Sequence, residues 1–182
     1  DNDNVLDDAD NCPFTLNPNQ ENNDTDSEGD ACDPDDDNDA INDGTDNCPM
    51  VANDSQLNTD GDEEGNACDL DDDNDGVDDE DDNCPLADND TQLDTDGDEK
   101  GDVCDADDDG DDNPDEDDNC PLVENKDQSD TDGDEVGDAC DADDDGDGVE
   151  DKADNCHFIA NPNQENSDKD EDGDACDVDD DD

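Results

Sequence analysis

Asp71, Asp73, Asp75, Asp79 and Asp82 place carboxylates at positions 1, 3, 5, 9 and 12 of one twelve-residue stretch, with Gly76 at 6 and Val77 at 7. This is donor spacing for a hard cation. A calcium ion takes roughly six to eight oxygens, and short Asp side chains on alternate residues converge only if the backbone curls around the ion. The residue at 7 adds its backbone carbonyl, the carboxylate at 12 closes the shell, and glycine at 6 turns without a Cβ clash. Magnesium, the rival ion, resists dehydration and prefers six-coordinate sites that keep water, so a carboxylate-rich loop with a carbonyl ligand favours calcium. Position 12 is Asp in every complete loop and never Glu. The shorter arm makes two-oxygen closure harder, and affinities in or somewhat below the range of about 10⁻⁴–10⁻³ M are expected.

The same register recurs along the chain. Three more complete loops of this kind are Asp35, Asp37, Asp39, Ile41, Asp43 and Asp46; Asp107, Asp109, Asp111, Asn113, Asp115 and Asp118; and Asp143, Asp145, Asp147, Val149, Asp151 and Asp154. Five loops of a related kind carry a cysteine at position 11. They are Asn22, Asp24, Asp26, Glu28, Asp30 and Asp33; Asn58, Asp60, Asp62, Glu64, Asn66 and Asp69; Asp94, Asp96, Asp98, Lys100, Asp102 and Asp105; Asp130, Asp132, Asp134, Val136, Asp138 and Asp141; and Asn166, Asp168, Asp170, Asp172, Asp174 and Asp177. The cysteine-bearing loops are called first loops below and the others second loops. Partial copies run from Asp1 to Asp10 and from Asp179 onward.

What must position these loops is a framework of ten cysteines at 12, 32, 48, 68, 84, 104, 120, 140, 156 and 176. Their spacings alternate 20 and 16, a period of 36, so five repeats span about 1–36, 37–72, 73–108, 109–144 and 145–180 of a single array. Each repeat also holds a C-P-x-x-x-N-x-x-Q segment, as in Cys12 to Gln20, with His157 in place of the Pro in the last copy. Its Asn and Gln either bond loop backbone or supply an amide ligand, with hydrogen bonding the favoured role. No window has the apolar periodicity of a helix or a strand, Gly, Asn, Asp and Pro dominate, and there is no room for the helices that flank an EF-hand loop. The expected fold is irregular, with little regular secondary structure: a linear repeat array held by disulfides and calcium, without a hydrophobic core.

Composition agrees. There are 75 acidic residues against 4 basic ones, a formal charge of −71, 23% hydrophobic residues, and no Trp or Tyr. By composition alone the chain is also a disordered acidic tail, because it cannot bury enough apolar surface to offset the entropy of ordering. Such tails are irregular and poor in cysteine, which this chain is not. An even cysteine count at regular spacing reads as a disulfide framework in an oxidising, extracellular setting. The charge repels nucleic acid. No run within this stretch is apolar enough for membrane insertion or reads as a signal peptide, so any such segment is expected to lie outside it or to have been removed. Zinc binding and thiol redox chemistry lack a short Cys-x-x-Cys pair, and His157 stands alone. Neighbouring cysteines can pair across 20 residues or across 16; the second choice strands Cys12 and Cys176.

The combined pattern DNCPxxxNxxQxDxDxDxxGDxCDxDxDxDGxxDxxDNC resembles the thrombospondin type 3 repeat and covers the whole chain. That resemblance implies an extracellular calcium-loaded array in which ions replace the apolar interior, with more than one ion per loop on shared carboxylates. Similar repeats occur in animal matrix proteins and bacterial surface proteins. The resemblance also implies the pairings Cys12–Cys32, Cys48–Cys68, Cys84–Cys104, Cys120–Cys140 and Cys156–Cys176, each contributing roughly 3 kcal/mol by restricting the unfolded chain. One departure concerns position 6 of the first loops, where the family usually has Gly. Here it is Ser27, Glu63, Glu99, Glu135 and Glu171, while Gly61, Gly97 and Gly133 fall at position 4; Ala40 and Asp112 replace it in second loops. Those residues must accept a positive φ, or the loop must turn differently.

Val77, Val149, Ile41, Leu86, Leu122 and Phe158 are expected to cover the bridges. Asn23, Asn53 and Asn89 each begin an N-x-S/T sequon and are candidate glycosylation sites. An enzyme is not expected, since no nucleophile stands with a base and no basic residue is placed to polarise a substrate. The leading function is a calcium-stiffened spacer, stalk or fibre segment outside the cell. The alternatives are an adhesion module that meets a matrix or cell-surface partner through its acidic face, or a calcium store. Ends that fall inside loops suggest a window on a longer array or a filament, with copies of the chain completing each other's partial loops.

Overall fold

A computed structural model describes residues 1–179, and among them no helix and no strand occurs: the backbone is a succession of turns and bends. No helix is long and apolar enough to cross a membrane. The chain forms two compact units, Asp1–Gln92 and Leu93–Asp182. Each is an irregular, disulfide-stabilised run of repeats. Of the partial loop that starts at Asp179, all but the first residue lies outside the described residues.

All ten cysteines are in disulfides. Cys12–Cys32 and Cys48–Cys68 lie in the first unit, Cys120–Cys140 and Cys156–Cys176 in the second, with Cα–Cα distances of 5.6 to 5.7 Å. The buried apolar side chains among the described residues are Cys12, Cys48, Cys84, Cys120 and Cys156, and the largest other side chain that is fully enclosed is Asp111, at 1% exposure. Sulfur bridges and carboxylates therefore sit where an ordinary domain keeps leucine and phenylalanine.

The bridges are enclosed by backbone rather than by the apolar residues expected to cover them. Cys48 Sγ lies 3.1 Å from the Gly65 carbonyl, and Cys120 Sγ lies 3.2 Å from that of Gly137. Leu86, Leu122 and Phe158 stay about half exposed, and Ile41, Val77 and Val149 are only half buried. Glycine is required at position 8 of the first loops for space: a Cβ on Gly65 would come 2.4 Å from the Asn47 side chain, and one on Gly137 would come 2.4 Å from that of Asn119. Gly137→Ala is accordingly expected to destabilise its repeat by about 1–3 kcal/mol through overpacking, read as a lower chelator or thermal midpoint. An unchanged midpoint would refute the close fit.

Candidate metal centres

Buried carboxylate oxygens without a partner in the protein cluster in every second loop. They are Asp35 Oδ1, Asp36 Oδ1, Asp37 Oδ2 and Asp46 Oδ2, then Asp71 Oδ1, Asp72 Oδ1, Asp73 Oδ2 and Asp82 Oδ2. The second unit has Asp108 Oδ1, Asp109 Oδ2 and Asp118 Oδ2, followed by Asp143 Oδ1, Asp144 Oδ1 and Asp145 Oδ2. Burying anionic oxygens together without a positive partner costs several kcal/mol each. Oxygens of Asp35, Asp37 and Asp39 lie within 4.8 Å of one another, as do those of Asp71, Asp73 and Asp75. The donor set is hard, all oxygen, and fits calcium.

Backbone amides aim these oxygens. Asp37 Oδ1 accepts from Asp39 N at 3.0 Å and Asp39 Oδ1 from Ile41 N at 2.7 Å, which leaves Asp37 Oδ2 turned inward. Asp39 Oδ2 accepts from Asn53 N at 2.8 Å, so the loop is fastened to the next Cys-Pro segment. Position 9 ties down position 2: Asp43 Oδ1 accepts from Asp36 N at 2.9 Å, and Asp30, Asn66, Asp79, Asp102, Asp115, Asp138, Asp151 and Asp174 do the same in their loops.

The Gln of the C-P-x-x-x-N-x-x-Q segment sets the carboxylate at 12. Gln56 Nε2 donates to Asp46 Oδ1 at 2.6 Å, and Cys48 N donates to the same oxygen at 2.8 Å. Asp46 Oδ2 is thereby left facing the loop interior. Gln56 Oε1 accepts from Asn47 N at 2.9 Å, and Asn53 Nδ2 donates to Asn47 Oδ1 at 2.7 Å. The arrangement recurs with Asp10 and Gln20, Asp82 and Gln92, Asp118 and Gln128, and Asp154 and Gln164. These amides hydrogen-bond, as expected, and the Asn before each first cysteine joins them, a role its sequence position did not suggest. Of the sequon residues, Asn23 is exposed, Asn53 is half buried in this network and Asn89 is buried at 6% exposure. A glycan on Asn53 or Asn89 would require the network to open.

The first loops are built differently. Oxygens of Asp24, Asp26 and Asp33 converge within 4.8 Å, as do those of Asp60, Asp62 and Asp69, and those of Asp1, Asp3 and Asp10 in the partial loop. The side chain at position 1, however, is spent on its own turn: Asp94 Oδ1 accepts from Gly97 N and Asp130 Oδ1 from Gly133 N, both at 2.7 Å. The same bond forms from Thr25 N to Asn22 Oδ1 at 2.6 Å and from Gly61 N to Asn58 Oδ1 at 2.5 Å. Position 12 is capped by backbone too, with Asp141 Oδ1 accepting from Ala142 N at 2.6 Å and Asp177 Oδ1 from Asp179 N at 2.9 Å.

Position 1 also decides the turn at position 6. Where it is Asp, its Oδ2 accepts from the position-6 amide: Ala40 N to Asp35 at 3.1 Å, Gly76 N to Asp71 at 3.0 Å, Asp112 N to Asp107 at 3.0 Å, Gly148 N to Asp143 at 2.9 Å, Glu99 N to Asp94 at 3.1 Å and Glu135 N to Asp130 at 3.3 Å. All six of those residues have positive φ, from 79° to 96°. Where position 1 is Asn, its Nδ2 donates instead to the position-5 carbonyl, Asn22 to Asp26 at 3.3 Å, Asn58 to Asp62 at 3.1 Å and Asn166 to Asp170 at 3.1 Å. Ser27, Glu63 and Glu171 then escape the left-handed region. Both expected outcomes occur, sorted by whether position 1 carries an acceptor or a donor. Glu135→Gly should raise stability by about 1 kcal/mol by relieving that backbone, whereas Glu63→Gly should gain nothing; equal thermal shifts for the two would refute the assignment.

Position 2 of the second loops was not among the expected ligands. Burial first, then the charges of Asp43, Asp30, Asp33 and Asp24, pushes the Asp36 carboxyl up to about 6. Burial, with Asp115, Asp102 and Asp105 close by, does the same to Asp108, also to about 6. Asp72 and Asp144 are raised in the same way, by burial and then by Asp79 and Asp151. Each of these side chains faces position 9 of its own loop and acidic residues of the preceding first loop. A signal existed in the sequence: position 2 is Asp in all four second loops, but Asn23, Thr59, Thr95, Thr131 and Ser167 in the first loops. A carboxyl whose folded pKa lies above its ordinary value favours the metal-free fold below about pH 4 and withdraws that support as pH rises through about 6. Metal-free protein should therefore gain order between pH 7 and pH 4.5, while protons should weaken calcium binding by several-fold between pH 7 and pH 5. Calorimetric titration at the two pH values checks this; equal affinities would contradict it.

A family model for the thrombospondin type 3 repeat matches residues 1–20, 21–56, 58–92, 93–128 and 129–164. A search of curated proteins found no match. Five consecutive matches, together with the bridged cysteines and the clustered acidic oxygens, make this chain a run of calcium-binding structural repeats: it belongs to the thrombospondin type 3 repeat family.

Proposed function

We propose that the protein is an extracellular spacer, stalk or fibre segment stiffened by calcium, with at least one ion in each complete loop. The observation that carries this reading is the set of partnerless buried oxygens at positions 2 and 3 of all four second loops, joined by position 1 in three of them and position 12 in three. A segment with −71 formal charges and no apolar core holds such oxygens together only when divalent cations neutralise them. The carboxylates at position 2, set against positions 9 and 12 of the preceding first loop, support a further ion where two loops meet. The disulfides fit an oxidising, extracellular location.

An adhesive role is the second reading, favoured by apolar side chains exposed just after the first cysteine of each repeat: Phe14 at 96%, Met50, Leu86, Leu122 and Phe158. Small-angle scattering with and without chelator, joined to a count of bound ions, tests the spacer. A calcium-dependent, cooperative change of dimensions with nine or more ions bound is expected. Many weakly bound ions with unchanged dimensions would instead indicate a calcium store and overturn the spacer.

A further inference from the structure

The first loops Asp94–Asp105 and Asp130–Asp141 read DTDGDEKGDVCD and DTDGDEVGDACD, so they differ only by Lys100 against Val136 and by Val103 against Ala139. Their internal geometry matches. Asp98 N donates to Asp96 Oδ1 at 2.9 Å and Asp134 N to Asp132 Oδ1 at 3.0 Å. Thr95 Oγ1 donates to Asp102 Oδ2 at 2.8 Å and Thr131 Oγ1 to Asp138 Oδ2 at 2.9 Å. At position 12, Asp105 Oδ1 accepts from Ala106 N and Asp141 Oδ1 from Ala142 N, both at 2.6 Å. Lys100 adds a polar contact that Val136 cannot make. Lys100 Nζ donates to Asp105 Oδ1 at 2.9 Å, an ion pair in which the Asp105 side chain is 12% exposed and the lysine 47%.

We propose that Lys100 is a built-in competitor for the cation of the Asp94–Asp105 loop, so that this loop fills at higher free calcium than its near-twin and empties first as calcium falls. The inference rests on the reading that these loops bind calcium. The ammonium draws charge from the carboxylate at position 12, and it sets a fixed positive charge beside the place a divalent ion would occupy. Both effects oppose the ion without altering the loop's backbone. Position 7 is Glu28, Glu64, Val136 and Asp172 in the other first loops, so a lysine at this position marks one first loop of the five. With the lysine partly solvated, the repulsion is expected to weaken the site about tenfold at low ionic strength, and less as salt screens it.

The position-4 glycines Gly97 and Gly133 report the two loops separately, since their amides bond the carboxylates at position 1. In the full chain, labelled with ¹⁵N, their amide resonances are followed through a calcium titration. The midpoint for Gly97 is expected at about tenfold higher free calcium than that for Gly133. Lys100→Val should bring the two together, and Val136→Lys should raise the Gly133 midpoint by a similar factor. Coincident midpoints in the wild type, or a gap that survives Lys100→Val, would overturn the proposal while leaving calcium binding intact. If neither glycine responded and no calcium were bound, the underlying reading would fall with it.

Discussion

Transfer of the oxidised protein from millimolar calcium into excess chelator is expected to strip hydrogen-exchange protection from the loop amides by about a hundredfold or more. Asp39 N, Ala40 N and Asn53 N are direct reporters, because each donates to a carboxylate of the Asp35–Asp46 loop. Without cations, the oxygens of Asp35, Asp36, Asp37 and Asp46 are buried with no partner, and the buried apolar groups among the described residues are the bridged cysteines. Restoring calcium should restore protection, and sodium at equal ionic strength should not, since a monovalent ion offers half the charge to the same oxygens. Protection that persists in chelator after the bridges are also reduced would show that something other than metal and sulfur holds the chain.

The second large effect falls on the carboxylate at position 12 of a second loop. Asp46→Ala removes the inward Oδ2 and leaves Cys48 N and Gln56 Nε2 without the oxygen they share at 2.8 and 2.6 Å. Loss of a proposed ligand, added to a stranded Cys48 amide and a Gln56 Nε2 left with Asn53 as its acceptor, should lower calcium affinity at that loop by about a hundredfold and destabilise the repeat by about 2 kcal/mol. Asp46→Asn keeps an acceptor for both donors and loses only charge, so about a tenfold loss of affinity is expected. Calorimetry on the two variants separates the roles. An Asp46→Ala protein that binds as many ions as tightly as the parent would exclude Asp46 as a ligand.

The loops themselves were legible because their candidate ligands from position 1 to 9 fall at two-residue steps, and the 36-residue period gave the same register again and again. The absence of regular secondary structure followed from turn-forming residues and missing apolar periodicity. What the residue types alone left open was which oxygen of each carboxylate points inward. That depends on amides from elsewhere in the chain, such as Asn53 N on Asp39 and Gln56 Nε2 on Asp46, fourteen and ten residues away.

The order of residues was sufficient to read the period, the positions of the cysteines and the candidate donors at odd positions, because each is a matter of spacing along the chain. Only the folded arrangement decided that Asp36, Asp72, Asp108 and Asp144 are drawn inward against the preceding loop, since their neighbours there come from a different loop. It likewise decided that Ala40, Asp112, Glu99 and Glu135 bear the left-handed backbone while Ser27, Glu63 and Glu171 do not. The cause is a choice between donor and acceptor five residues upstream, where an Asp oxygen takes the amide and an Asn nitrogen takes the carbonyl instead.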